Sequence, residues 1–195
     1  MRRFLGIVAA TSLISVGSWA AVDGTAHDLG TGTTETNQEC IFCHTPHSSG
    51  QTPLWNRGAS ALTYTMYTSP TIDMTLAGTP GAVSLACLTC HDGSVALDNL
   101  INAPGSGGVV GAGADQGWTM TASVSGVTNL GNDLTSEHPV GITYNTGLDA
   151  GFDTIANAEA DGMVFYGGGS DQVECASCHD PHESTNVPFL RSAND

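Results

Sequence analysis

The chain contains no lysine. Its only cations are Arg2, Arg3, Arg57 and Arg191, set against nineteen Asp and Glu in 195 residues. Phosphate neutralisation needs cations, so nucleic acid is not an expected partner; an anionic membrane surface is excluded on the same ground. A lysine-ligated catalytic metal is excluded with the lysines, and few cations remain to build an anion-binding pocket. Long apolar runs are scarce too. The opening M-R-R-F-L-G-I-V-A-A-T-S-L-I-S-V-G-S-W-A-A places Arg2 and Arg3 before an apolar stretch over 4–16, followed by the small residues Ser18 and Ala20. That pattern predicts a cleaved secretory signal over 1–20, too short for a comfortable membrane span. Nothing downstream suggests a membrane span. The remaining 21–195 would carry 2 − 19 = −17 charges as a single domain. Partners steered by charge would be basic proteins or cations.

Regular periodicity is also in short supply. Glycine is abundant at 25 residues, with clusters over 105–113 and 167–169. The best helical stretch is 82–91, with a second over 154–163. Residues 61–67 alternate as a short strand does. The segment 101–132 reads as loop. The expected fold is therefore mostly coil, with a few short helices and minimal strand. Such a chain builds little core of its own and suits one organised around large apolar cofactors.

Finally, no cysteine is left over. All six fall into three C-x-x-C-H motifs: Cys40/Cys43/His44, Cys87/Cys90/His91 and Cys175/Cys178/His179. In an exported chain, cysteines usually form disulfides. Three complete motifs that use every cysteine point instead to covalent haem c attachment. The identical spacing also argues against mixed zinc sites. Each cysteine pair would form two thioethers and each adjacent histidine would be the proximal iron ligand. Three haems are expected.

The opposite axial position decides the chemistry. A second His or a Met closes the iron for electron transfer, whereas an open position permits substrate chemistry. Four histidines remain as distal candidates: His27, His47, His138 and His182. His47 follows His44 by three residues, and His182 follows His179 by three. Neither reaches its own iron easily, being about one helical turn from the proximal ligand on the same side of the ring. Each C-x-x-C-H-x-P-H therefore reads as a joint that holds one haem and offers a ligand to its neighbour. His138 lies in a loop remote from any cysteine pair. His27 lies near the start of the expected mature chain, where it would fold back, stay idle or reach another subunit. Met66, Met74, Met120 and Met163 are alternatives, but four histidines for three irons favour bis-His sites of low potential. Six residues after each joint comes Pro-apolar-apolar, Pro53-Leu54-Trp55 and Pro188-Phe189-Leu190, with Arg57 and Arg191 shortly beyond. One haem-binding unit is used twice, with the Cys87 motif between the copies.

The succession C-I-F-C-H-T-P-H, P-L-W-N-R, Y-T-M-Y-T-S-P-T, C-L-T-C-H-D-G, N-L-G-N-D-L-T-S-E-H-P-V and C-A-S-C-H-D-P-H resembles the multihaem cytochromes that form extracellular tetrahaem filaments in metal-reducing bacteria. The resemblance implies stacked bis-His haems, a polymer of identical subunits and a histidine from one subunit completing a haem site in the next. It implies redox proteins or extracellular acceptors as further partners. It departs at its end, where the relatives carry a fourth motif after the segment that here reads F-L-R-S-A-N-D; this chain looks like a three-haem version. The expected function is electron transfer without enzymatic chemistry, extracellular or at the cell surface. The alternative is a monomeric periplasmic or surface shuttle. A multihaem reductase would need an open iron.

Overall fold

The computed structural model describes residues 22–30, 38–47, 54–97, 99–102 and 128–193. The expected signal, Met120 and most of the glycine-rich 101–132 segment lie outside them. Within the described residues the chain is mostly coil, with a 3₁₀ turn at Glu39–Phe42 and three helices: α1 at Ala82–His91, α2 at Ile155–Ala160 and α3 at Cys175–Cys178. Three two-residue strands complete it, β1 at Thr75–Leu76, β2 at Ile142–Thr143 and β3 at Gln172–Val173. They form an antiparallel sheet in the order β1-β2-β3. Leu76 faces Ile142, which faces Val173 in turn. None of the helices is long and apolar enough to cross a membrane.

α1 spans the stretch expected to be helical. Ala82, Leu85, Ala86 and Leu88 are strong helix formers. The helix stops at Asp92 and Gly93, the latter at φ +71°, a left-handed conformation that glycine adopts without a Cβ penalty. α2 is shorter than the expected 154–163. Thr154 caps it by accepting from the Asn157 N–H, and Gly162 at φ +101° turns the chain away. The strand expected over 61–67 does not form. Thr65 bridges only Asp133, donating to the Asn132 carbonyl and accepting from the Leu134 N–H. The alternation instead turns Tyr64 into a small core with Leu88 and Leu134. A second cluster joins Phe42 and Leu100.

The contact between α1 and α3 positions the site. Glu174 is buried. Its carboxylate accepts from the Gly81 N–H and the Ser84 hydroxyl at the start of α1. It also caps α3, taking a hydrogen bond from the backbone of Ser177 while its own N–H donates to Ser177 Oγ. The Cys175 N–H donates to Ser84 Oγ at 3.0 Å. The side chain of the residue that opens α3 thus ties that helix to the start of α1. A Cβ at Gly81 would run into the Glu174 carboxylate.

Candidate redox site built from histidine pairs

The three C-x-x-C-H motifs lie on short helical pieces, which fold each His back beside its cysteines. The first is on the 3₁₀ turn, the second on the last turn of α1 and the third on α3. In the first and third, the His44 and His179 N–H groups donate to the carbonyls of Cys40 and Cys175, at 2.8 and 3.1 Å. No disulfide joins any of the six cysteines. Cys87 and Cys175 lie close enough to act on each other's thiols. That proximity, with burial, pushes the Cys87 thiol up, and the same proximity brings Cys175 down to about 7. Glu174 and Ser84 thereby set the second motif against the third.

The histidines are arranged in pairs. His44 and His182 lie 6.1 Å apart between ring centres, with planes 18° from parallel. His138 and His179 are 6.2 Å apart at 14°, and His27 and His91 are 6.2 Å apart at 63°. Each pair joins one motif histidine to one histidine outside the motifs. His182 meets the motif of the other copy, not its own, as the reach of three residues requires. His27 packs inside the chain, against His91 and Phe189. His47 is exposed and faces no other histidine of the described residues.

The separations suit a metal held between two rings. Metal–imidazole bonds run at about 2.0 Å, and a ring nitrogen is roughly 1.1 Å from its ring centre, so two in-line ligands put the centres about 6 Å apart. Simple aromatic contacts also fall in this range, at about 4.5–7 Å. What distinguishes these pairs is composition, since every motif histidine has one partner and all three partners come from the four spare histidines. Far-side hydrogen bonds fit the same role. His91 Nδ1 contacts the Thr128 carbonyl at 2.8 Å, and His179 Nδ1 contacts the Pro188 carbonyl at 2.9 Å. Such bonds orient an imidazole and leave Nε2 for a metal. His182 Nδ1 lies 3.2 Å from the Asp180 carboxylate. Burial, then the neighbouring His91 and His182, hold His27 down to about 4, so it is neutral near pH 7, as a ligand must be.

Three buried polar atoms have no hydrogen-bond partner: His27 Nδ1, Trp55 Nε1 and Arg57 Nε. Trp55 packs edge-on against His44, with ring centres 5.8 Å apart. His27 and Trp55 thus belong to the histidine pairs or pack on them, and Arg57 lies near enough to Cys43 and Cys90 to act on their thiols. This donor set fits haem: two cysteines and a histidine on one side, a second histidine on the other. Met66 and Met74 are only partly buried, and each motif histidine already has a histidine partner. The sequence singled out all seven histidines but left their pairing open. His27 in particular carried no local signal, because its partner is 64 positions away. The orphaned donors of Trp55 and Arg57 had no sequence signal beyond following the first motif.

No protein-family model matches the chain, and no curated protein matches it.

Proposed function

We propose that this protein transfers electrons through three covalently attached haems c, each with two histidine axial ligands. The ligand pairs are His44 with His182, His91 with His27 and His179 with His138. The supporting observation is the three pairings at 6.1–6.2 Å, each between a motif and a spare histidine. With these histidines at both axial positions, a bound haem would supply one-electron transfer and leave no position open for substrate. The Cys87–Cys175 proximity and the His179–His182 joint would bring neighbouring haems close enough for rapid transfer.

Assembly into an extracellular filament is the larger reading. It rests on His47, the spare ligand left without a histidine partner among the described residues. By analogy with His182, His47 would serve an iron outside the set that this chain closes. His27 is then a ligand within the chain. The second reading is a monomeric shuttle. It is favoured by the completion of all three histidine pairs within one chain.

The test is to produce the full chain in a host that attaches c-type haem, then measure haem content, spin state and assembly. Three haems per chain, all low-spin, are expected. Fewer than three, or a high-spin ferric signal, would count against the ligand assignment. Electron microscopy separates the two readings. Filaments that vanish in His47→Ala support ligation between subunits, whereas equal assembly of the variant removes it. The absence of filaments at any concentration leaves the shuttle.

A further inference from the structure

Arg57 is 1 % exposed, the most deeply buried cation of the described residues. Two guanidinium nitrogens donate to neutral acceptors, the carbonyls of Leu97 at 2.7 Å and Ala96 at 2.6 Å. Its Nε–H is buried without an acceptor, and no carboxylate of the described residues pairs with it. In a chain with nineteen acids, this is the wrong cation to leave without a counter-charge. A buried ion lacking one costs several kcal/mol, which main-chain carbonyls only partly offset. Arg191, the other described arginine, has its carboxylate in Asp180 at 2.9 Å.

A second orphan lies two residues away. Trp55 Nε1 is also buried without a partner, and indole N–H is a donor only. Asn56 between them is satisfied, with its amide on the Ile41 and Asn102 carbonyls. Two buried donors, one carrying a full charge, thus lie two residues apart in the chain, Trp55 against His44 and Arg57 close enough to Cys43 to act on its thiol. The Arg57 charge also reaches the second motif. Burial pushes Cys90 up, and Arg57 pulls against it. The ligand this pair lacks is an anion with two or more acceptor oxygens, and a carboxylate matches a guanidinium best.

We infer that Arg57 and Trp55 form a binding site for a haem propionate, with Arg57 as its counter-charge and Trp55 Nε1 as a second donor. This rests on the haem reading above. The site would make Arg57 a positioning and tuning residue rather than an iron ligand. A cation held beside a propionate offsets its negative charge and favours the ferrous iron. It also keeps the propionate ionised, so that the haem potential varies little with pH.

The experiment uses the full haem-loaded chain and compares Arg57→Gln, Arg57→Lys and Trp55→Phe by resonance Raman propionate bands and by redox titration across pH. One of the three haem potentials is expected to fall in Arg57→Gln and to become more pH-dependent, with Arg57→Lys retaining most of the wild-type behaviour. Trp55→Phe is expected to shift a propionate band with a smaller change in potential. If Arg57 merely clamps the 96–97 turn, its variants lose stability while bands and potentials stay put, which overturns the proposal. Asp98, next to Leu97 in sequence, is the control: an Asp98→Asn variant that raises the same haem potential by as much as Arg57→Gln lowers it makes Asp98 the counter-charge and overturns the proposal too. Where Arg57→Gln does not fold, Arg57→Lys and Trp55→Phe decide, and unchanged bands in both sink the site. Failure to attach haem at all would refute the preceding section, whereas three attached haems with unchanged bands refute only this one.

Discussion

The first and third motifs are two copies of one backbone frame that carry different side chains. In both, the motif histidine bridges a residue eleven positions later, His44 with Trp55 and His179 with Leu190. Thr45 donates to the Leu54 carbonyl, and Asp180 to that of Phe189, each at 2.8 Å. The Asn56 N–H donates to the Cys43 carbonyl and that of Arg191 to the Cys178 carbonyl, each at 2.9 Å. Leu54 and Phe189 share φ 60°, strained for a side chain with a Cβ. The frame therefore aligns Arg191 with Asn56, not with Arg57 as their similar distance from the motif suggests. The side-chain bonds agree: Asn56 Nδ2 donates to the Ile41 carbonyl, and Arg191 Nε to that of the corresponding Ala176.

Three differences then separate the copies. Asp180, beside His182 and Arg191, is replaced by Thr45, which bonds the His47 carbonyl instead. Glu174 is buried between α1 and α3, whereas the same residue in the first copy, Glu39, meets different surroundings, with its carboxyl near Asp23 and Asp28. The second joint hands its histidine to the first motif, while the first hands His47 to none of the described histidines. A repeated backbone thus fixes where each joint histidine sits, and the surrounding segments decide whether it meets another histidine.

The largest expected effect tests the last difference. His182→Ala should turn one of three ferric haems high-spin, while His47→Ala leaves all three low-spin in the isolated subunit. Equal effects from both variants would erase the distinction between the joints. Next comes the glutamate pair. Glu174→Ala should cost about 3 kcal/mol in urea unfolding, through lost bonds to a buried carboxylate and an unsatisfied Ser84. Glu39→Ala should leave the midpoint unchanged or raise it, because it removes like charge beside Asp23 and Asp28. A comparable loss in both would make the two sites equivalent.

The smallest effect is pH-dependent. Burial acts to raise Asp180, but hydrogen bonds from His182 and the charges of Arg191 and His182 outweigh it and hold the carboxyl below its ordinary 3.8. A depressed acid stabilises the fold above its unfolded-state value and loses that contribution as pH falls through the folded value. The second copy should therefore weaken only below pH 3.8. Asp180→Asn should abolish that acid step and cost about 1 kcal/mol at neutral pH, since the pair is partly exposed. The first copy, with Thr45, should show no such step; one that survives Asp180→Asn must arise elsewhere.

Much of this was legible in the residues. Three C-x-x-C-H motifs, four spare histidines, the doubled joint, helix α1 and the scarcity of regular structure all follow from spacing and composition. Other features were not. The alternation over 61–67 looks like a strand, yet Tyr64 turns in to meet Leu88 and Leu134 because no neighbouring strand runs alongside it. α2 ends early because Gly162, a poor helix former, takes a positive φ just past its last turn. Among the described residues the apolar clusters are small, Phe42 with Leu100 and Tyr64 with Leu88 and Leu134.

By itself the sequence determined the local chemistry: which histidine belongs to which cysteine pair, that His47 and His182 each follow a motif histidine by three residues, and that the chain is strongly acidic. Those properties depend on neighbours a few residues apart. The tertiary structure decided the pairing of His27 with His91, 64 positions apart, the union of α1 and α3 through Glu174, and the isolation of Arg57 and Trp55. These depend on which distant segments meet and which polar groups burial leaves unpaired, and spacing along the chain does not encode either.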